Sequence, residues 1–151
     1  MNDEYKKWAL VTGGAKRIGA TIAETLHNKG FNVAIHYNSS SDAADQLCAK
    51  LNANKQDSSI AIGVDLTDQN SLESLIPSLI EKTKRLDILV NNASTFYPTP
   101  IEKITQEDWE NLLGTNLKAP LFLSKYATQY LKQSKGSIIN IIDIHSKKPL
   151  K

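Results

Sequence analysis

Cysteine is almost absent from the sequence: Cys48 stands alone among 151 residues and cannot form an internal disulfide. A strong excess of one charge is also lacking, since the net charge of +2 is too small to indicate a nucleic-acid partner. No apolar run approaches the length that crosses a bilayer, and no apolar segment of the signal-peptide type follows the acidic stretch Met1–Glu4. We therefore expect a cytoplasmic protein with no nucleic-acid, membrane or metal partner.

The composition is that of an ordinary globular domain, with 40% apolar and 23% charged residues. A chain of 151 residues is expected to form one domain and to bury roughly 70% of its unfolded surface. Cys48 falls within a predicted helix, where we expect a small packed residue.

Short apolar runs of strand length alternate with segments of helical periodicity. The predicted strands are Trp8–Val11, Phe31–His36, Ser59–Val64, Leu86–Val90 and Ser137–Ile142. The predicted helices run from about Arg17 to Lys29, from an N-cap at Ser41 towards Leu51, through Leu72–Ile80, and from about Gln106 to Lys132 with a bend at Gly114 or Pro120. Pro77 is expected to kink or break the third helix, because proline lacks an amide donor and clashes with the preceding turn.

This alternation predicts an α/β fold, a doubly wound parallel sheet of about five strands with helices on both faces. Right-handed crossovers in such a fold bring every strand-to-helix loop to one edge of the sheet. That edge would gather the glycine turn after the first strand, the end of the second strand, Asp65, the polar Asn91–Pro100 loop and Asp143. We therefore expect a shared pocket there.

The stretch Trp8–Gly19 joins the first strand to the first helix through a glycine pair, Gly13 and Gly14. Such a turn leaves backbone N–H groups at a helix N-terminus, where unpaired donors and the helix dipole favour a phosphate. Glycine also lets the main chain approach a ligand closely. Taken alone, the turn fits a nucleotide site and an ordinary helix entry about equally well.

Five motifs occur in one order along nearly the whole chain: Thr12-Gly13-x-x-x-Arg17-x-Gly19, Asp65-Leu66, Asn91-Asn92-Ala93, Asn116, and Gly136-Ser137-Ile138-Ile139-Asn140-Ile141. Together they resemble the motifs of the short-chain dehydrogenase/reductase family. The resemblance implies a Rossmann-like three-layer sandwich, with residues 1–151 forming a single dinucleotide-binding domain.

A narrower resemblance is to the pteridine reductase branch, which includes dihydromonapterin and dihydrofolate reductases. It depends on Lys16-Arg17-Ile18-Gly19, His36-Tyr37, the run from Asn92 to Pro100, and Asp143 with Pro149-Leu150. It implies NADPH-dependent reduction of a pterin or folate-type substrate by hydride transfer. A ketone or 3-ketoacyl substrate is the alternative within the family, and Asp143 in the place of a serine argues against it.

The second strand ends without the acidic residue that would accept hydrogen bonds from the ribose of NAD. In its place stand His36, Tyr37, Asn38 and Ser39, which are predicted to contact the cofactor. A carboxylate would repel a 2′-phosphate, whereas the Arg17 guanidinium could hold one through a charge-assisted pair. NADP(H) is therefore the predicted cofactor. The alternative is that Arg17 is a solvated surface charge and His36 an ordinary strand-end residue.

The resemblance also assigns roles around the cofactor. Gly13 and Gly19 would shape the turn, while Arg17 and Ile18 would approach the phosphates, and Arg17 also the substrate. Asn92, Ala93 and Ser94 would lie along the ribose. Asp65 and Leu66 would flank the adenine, unless Asp65 is only a helix cap.

Three residues are predicted to act on the substrate side. Phe96 would stack a pterin ring against the nicotinamide, because an aromatic face suits a planar heterocycle, or it could fold into the core. Asn116 would bend its helix and hold a proton-relay water, or be a satisfied helix-interior asparagine. Asp143 would assist proton delivery to a ring nitrogen from partly buried surroundings that favour its protonated form. His145 is interpreted as a surface-loop residue.

The family's proton-donor motif, Tyr-x-x-x-Lys, does not occur in the sequence, since neither Tyr126 nor Tyr130 has a lysine four residues later. The resemblance therefore implies the N-terminal part of a longer homo-oligomeric enzyme, inactive by itself. A non-catalytic nucleotide-binding or assembly unit is the alternative. The last strand is expected to be an open edge that invites pairing, and the helix around Leu121–Tyr126 resembles the family's dimer-forming helix.

Overall fold

The computed structural model describes residues 6–143, in which five strands form one parallel sheet in the order β3-β2-β1-β4-β5. The strands are β1 (Trp8–Val11), β2 (Asn32–Tyr37), β3 (Ser59–Gly63), β4 (Ile88–Asn91) and β5 (Ser137–Asn140). The helices are α1 (Arg17–Asn28), α2 (Ser41–Asn54), α3 (Gln69–Thr83), α4 (Gln106–Leu113) and α5 (Ala119–Ser134). The predicted doubly wound α/β sheet is confirmed, with the ends of four strands shifted by one or two residues.

The sheet separates two apolar cores, because successive side chains of a strand point to opposite faces. On β1, Leu10 packs into the core beneath α3 and α5, whereas Ala9 and Val11 pack into the core beneath α1 and α2. The neighbouring strand follows the same alternation, since Leu89 lies opposite Leu10 and enters the same core. Central strands buried on both faces are the reason that the sequence shows continuous apolar runs there.

One expected helix cap is wrong, and the expected break of the third helix is not found. Ser40 is the N-cap of α2 and Ser41 its first residue, so the predicted cap lies one position too late. Pro77 does not break α3, which continues through it to Thr83. Pro77 is exposed, so the carbonyl that loses its amide partner there can bond to water instead.

The long predicted helix between Gln106 and Lys132 changes its winding at Gly114. Residues Gly114–Lys118 form a π-helical segment between α4 and α5. Pro120 lies in the first turn of α5, directly after this segment, and α5 continues past it to Ser134. Of the two positions considered for a bend, Gly114 is therefore the one at which the helix departs from α geometry.

The strand β5 forms one edge of the sheet, and all four of its residues are exposed. Ile138 and Ile139 are 39% and 43% exposed, which is high for large apolar side chains of a parallel sheet. The expected open edge is confirmed for the part of the chain that the structure describes. Within the same residues, no helix has the length and apolar character needed to span a bilayer.

Candidate functional site

A cavity of about 520 Å³ opens at the carboxyl edge of the sheet, between the loops that follow β1, β2, β3 and β4. The structure brings most of the predicted cofactor residues to its wall: Gly13, Arg17, Ile18, Gly19, His36, Asn38, Asp65, Leu66, Asn92, Ala93 and Ser94. Sequence analysis missed five further lining residues, Lys16, Thr67, Thr95, Asn111 and Thr115. Four of these adjoin predicted residues or motifs, so their position in the chain was the available signal.

The glycine turn is shaped by contacts that a side chain would prevent. Gly13 has a left-handed φ of 60°, and a Cβ there would lie 3.0 Å from the Cα of Ala93. A Cβ on Gly19 would lie 2.1 Å from the carbonyl oxygen of Gly13. Among the described side chains none caps the start of α1, so its first amides stay available to a ligand at the cavity.

Thr12 and Asn92 tie this turn to the end of β4. The Thr12 hydroxyl accepts the Asn92 and Ala93 amides at 2.9 and 3.0 Å. In return, the Asn92 side-chain amide donates to the carbonyls of Thr12 and Gly13 at 2.9 and 3.1 Å. The structure thus gives Thr12 a positioning role that sequence analysis missed. The Asn92 side-chain N–H groups are already used in these bonds to the turn.

His36 holds the same turn from the β2 side. Its Nδ1 accepts the Gly13 N–H at 3.1 Å, and its Nε2 lies 2.9 Å from the carbonyl oxygen of Val64. Because a carbonyl only accepts, Nε2 must carry the proton and Nδ1 the lone pair. His36 is 2% exposed, and burial lowers its pKa below the ordinary value of 6.5, against smaller opposing effects of Val64 and Asp65. It is therefore more than an ordinary strand-end residue.

The neighbours of His36 do not all face the cavity. Asn38 lines the cavity, but Tyr37 and Ser39 do not. Tyr37 belongs to the core on the α1–α2 face, and its ring covers Gly63, where a Cβ would lie 2.8 Å from the ring. Alternation along β2 explains this, because adjacent residues such as His36 and Tyr37 must point to opposite faces.

Asp65 closes a turn rather than capping a helix. Its Oδ1 accepts the Thr67 N–H at 2.9 Å and the Thr67 hydroxyl at 2.7 Å. The cap of α3 is Asp68, whose carboxylate accepts the Ser71 N–H at 2.8 Å. The helix-cap alternative for Asp65 is therefore wrong. Leu66 is 5% exposed and joins the core on the α3–α5 face.

The loop from Asn92 to Pro100 is anchored at two points. The Asn116 side chain accepts the Thr95 N–H at 3.0 Å and donates to the Thr95 carbonyl at 2.8 Å. The Tyr97 phenol accepts the Asn111 side-chain amide at 3.2 Å. Phe96, between these anchors, is 75% exposed. The core alternative for Phe96 is therefore wrong, although the ring does not line the cavity either.

Neither of the two predicted catalytic residues, Asn116 and Asp143, lines the cavity. Asp143 follows β5, is exposed, and is not part of the lining, so the expected partly buried surroundings are wrong. This residue follows the edge strand β5 of the sheet. His145 and Pro149-Leu150 lie outside the described residues.

The cavity wall carries two cationic side chains, Lys16 and Arg17, against one carboxylate, Asp65. Both cations are exposed, so they can move onto a ligand without breaking a buried ion pair. Among residues 6–143, no group of three His, Cys, Asp or Glu side chains is arranged to hold a metal. The wall therefore suits an anionic organic ligand, with main-chain amides and cations at its glycine turn.

Comparison with known proteins gives one family. The sequence profile described as short chain dehydrogenase matches residues 7–151. Pteridine reductase 1 of Leishmania tarentolae is 33% identical over 180 aligned residues, covering 94% of this chain and 62% of that protein. The 3-oxoacyl-[acyl-carrier-protein] reductase FabG of Staphylococcus aureus is 33% identical over 139 residues, covering 91% of this chain and 56% of that protein. The 3-oxoacyl-[acyl-carrier-protein] reductase of Synechocystis sp. is 34% identical over 137 residues. The chain spans 55% to 62% of the length of these relatives.

Proposed function

The chain belongs to the short-chain dehydrogenase family, and we propose that the whole protein is an NADPH-dependent reductase of a pterin or folate-type substrate. The choice of NADPH as cofactor depends on one observation: Arg17 and Lys16 line the cavity, and β2, which ends beside it, has no acidic residue at its end. An anion gains charge-assisted hydrogen bonds there and meets no carboxylate on β2. This favours the 2′-phosphate that distinguishes NADP from NAD.

The residues present fit a dinucleotide along the whole cavity. The uncapped amides at the start of α1 suit the pyrophosphate. Asp65 and Leu66 are proposed to flank the adenine, and Asn92, Ala93 and Ser94 to lie along the ribose near the nicotinamide. When bound, the reduced nicotinamide supplies the hydride. Cofactor contacts of Tyr37 and Ser39 remain predictions from the sequence, because neither residue lines the cavity.

The substrate assignment depends on the loop that carries Phe96. Thr95 and Tyr97 anchor the loop on both sides of Phe96, whose exposed ring offers a flat apolar face. We assign this face to a pterin, with Arg17 beside it, Asn116 as the residue that positions the loop and a relay water, and Asp143 assisting proton delivery. The similarity to a pteridine reductase supports this choice.

Two of the relatives described above are 3-oxoacyl-[acyl-carrier-protein] reductases, at 33% and 34% identity, so a 3-ketoacyl thioester is the second candidate substrate. Steady-state NADPH oxidation by the full natural chain, with dihydrobiopterin, dihydromonapterin, dihydrofolate and acetoacetyl thioester in parallel, separates the two. Turnover confined to the pterins or folate supports the proposal. Turnover of the thioester alone would replace it with the second candidate. NADPH binding without turnover of any of the four would indicate a binding module.

We further propose that the full-length protein is a homo-oligomer that associates through the outer side of α4 and α5. Trp109, Leu117 and Leu121, from α4, the π-helical segment and α5, are 57%, 61% and 62% exposed and line one depression of the surface, and clustered apolar surface of this kind is typical of protein–protein interfaces. Sedimentation of the full chain and of Leu121→Glu tests this. Equal masses for both proteins at monomer size would contradict it.

A further inference from the structure

The ring of His36 is fully occupied by main-chain groups of two different loops. Nδ1 accepts from Gly13 and Nε2 donates to Val64, while the His36 carbonyl accepts the Gly14 N–H at 2.8 Å. The histidine thus supports both glycines of the turn that borders the cavity. Across the turn, the opposing anchor is the Asn92 side chain on the Gly13 carbonyl.

We infer that His36 is a positioning residue for the dinucleotide: its neutral ring holds the glycine turn, and a proton taken up at Nδ1 releases the turn and weakens cofactor binding. A protonated Nδ1 is a donor and would face the Gly13 N–H, also a donor, so the hydrogen bond must break. The identity of the ligand in this inference rests on the proposed function. The tautomer and hydrogen bonds of the His36 ring do not.

The charges around His36 set where this proton is taken up. Burial disfavours the protonated ring most strongly, whereas the hydrogen bond to Val64 and then the charge of Asp65, from the loop after β3, favour it. Lys16 and Arg17, from the turn itself, line the same cavity, and Tyr37 follows on β2 with its ring over Gly63. The titration is therefore expected below the ordinary histidine value of 6.5.

The first experiment needs no cofactor. Nitrogen-15 NMR of the histidines in the full natural chain should show His36 with the proton on Nε2 at neutral pH. The Gly13 amide shift should then titrate together with the His36 ring. A proton on Nδ1, or a Gly13 amide that ignores the His36 titration, would overturn the inference.

The second experiment measures NADP⁺ affinity by calorimetry between about pH 5 and pH 7.5, with the oxidised form chosen because it survives mild acid. The 2′-phosphate itself titrates near pH 6, so the decisive quantity is the difference between wild type and His36→Asn, which keeps an acceptor near Nδ1 but cannot be protonated there. We expect wild type to lose roughly tenfold more affinity across this range than His36→Asn, the size of one net hydrogen bond. Equal losses would overturn the inference.

The matched control is His27→Asn, which changes the other buried histidine among the described residues, on α1 and away from the cavity. It should keep the wild-type pH dependence of NADP⁺ affinity. If NADP⁺ affinity depended less on pH in this variant as well, the loss of affinity in acid would reflect general destabilisation of the protein and not His36. If wild type binds no NADP⁺ at any pH, the proposed function and the ligand half of the inference both fail, while the NMR titration still decides the role of the ring.

Discussion

The side chain of Asn116 pairs with Thr95 as a second strand would: its Oδ1 accepts the Thr95 N–H at 3.0 Å and its Nδ2 donates to the Thr95 carbonyl at 2.8 Å. Asn116 lies in the π-helical segment that begins at Gly114. π-Helical insertions often occur at functional sites. Here the segment presents a side-chain amide that pairs with both main-chain groups of Thr95.

Replacing Asn116 with Ala should loosen the start of this loop. Two hydrogen bonds are lost, so the Thr95 amide should exchange with solvent at least roughly tenfold faster. Asn116→Asp should keep the bond from the Thr95 N–H and lose the one to its carbonyl, giving an intermediate rate. The control is Asn54→Ala, an exposed asparagine at the end of α2. An unchanged exchange rate of the Thr95 amide in Asn116→Ala would show that the Asn116 side chain does not hold the loop at Thr95.

Replacing Arg17 with Gly should reduce the preference for NADP⁺ over NAD⁺. Arg17 has a left-handed φ of 51°, so glycine preserves the backbone while it removes the cation. Loss of a charge-assisted pair predicts NADP⁺ binding weaker by roughly 10- to 100-fold, with little change for NAD⁺.

The control for this variant is Lys135→Gly, which removes another exposed cation from a left-handed position, with φ of 55°, outside the cavity. Calorimetry with both dinucleotides on both variants measures the difference. If Arg17→Gly and Lys135→Gly retain the same preference, Arg17 is a solvated surface charge and not the selecting group.

Replacing Asp87 with Ala should destabilise the sheet at the edge opposite to the cavity. The Asp87 side chain is 7% exposed, accepts the Trp8 N–H at 2.9 Å and lies 2.7 Å from a guanidinium nitrogen of Arg85. Removing it strips the buried Trp8 amide of this acceptor, with an expected cost of about 2–4 kcal/mol in the free energy of unfolding.

The comparison for Asp87→Ala is Glu24→Ala, which breaks the ion pair between Glu24 and Lys50, whose side chains are 37% and 62% exposed. Urea denaturation should show a change of less than about 0.5 kcal/mol for it. Similar losses in the two variants would show that burial does not govern the strength of these pairs.

His27 should make folding stability fall in mild acid. It is buried, with Nε2 2.7 Å from the Ser58 hydroxyl. Burial, and then the nearby charge of Lys55, lower its pKa below 6.5. The unfolded chain therefore binds a proton that the folded chain resists, so the stability present above pH 6.5 is lost as the pH falls towards the folded-state pKa.

His27→Gln should remove that loss, because glutamine does not titrate. The measurement is urea denaturation of both proteins at about pH 7.5 and about pH 5.5. A wild-type difference between the two pH values that survives in full in His27→Gln would assign the acid sensitivity to other groups.

Local sequence patterns were enough to predict most of the elements that meet at the carboxyl ends of the strands. The strand β1 was predicted at its observed bounds, and the turn from Gly13 to Gly19 was recognised, because strand length and glycine placement depend on neighbouring residues. The neighbours of Phe96 could not be predicted in the same way. The residues on either side of it, Tyr97 and Thr95, are anchored by Asn111 of α4 and by Asn116 of the π-helical segment.

The sequence by itself determined the alternation of strands and helices, hence the parallel sheet, and which loops would meet at its carboxyl edge. Only the tertiary structure decided what the side chains in those loops do: the His36 ring accepts the Gly13 N–H, the Tyr37 ring packs over Gly63 on the other face of the sheet, and Asp143 is exposed. The physical reason is that apolar periodicity and glycine torsions are local properties. The partners of a polar side chain at a strand end are set by residues far away in the chain, which folding brings within hydrogen-bond distance.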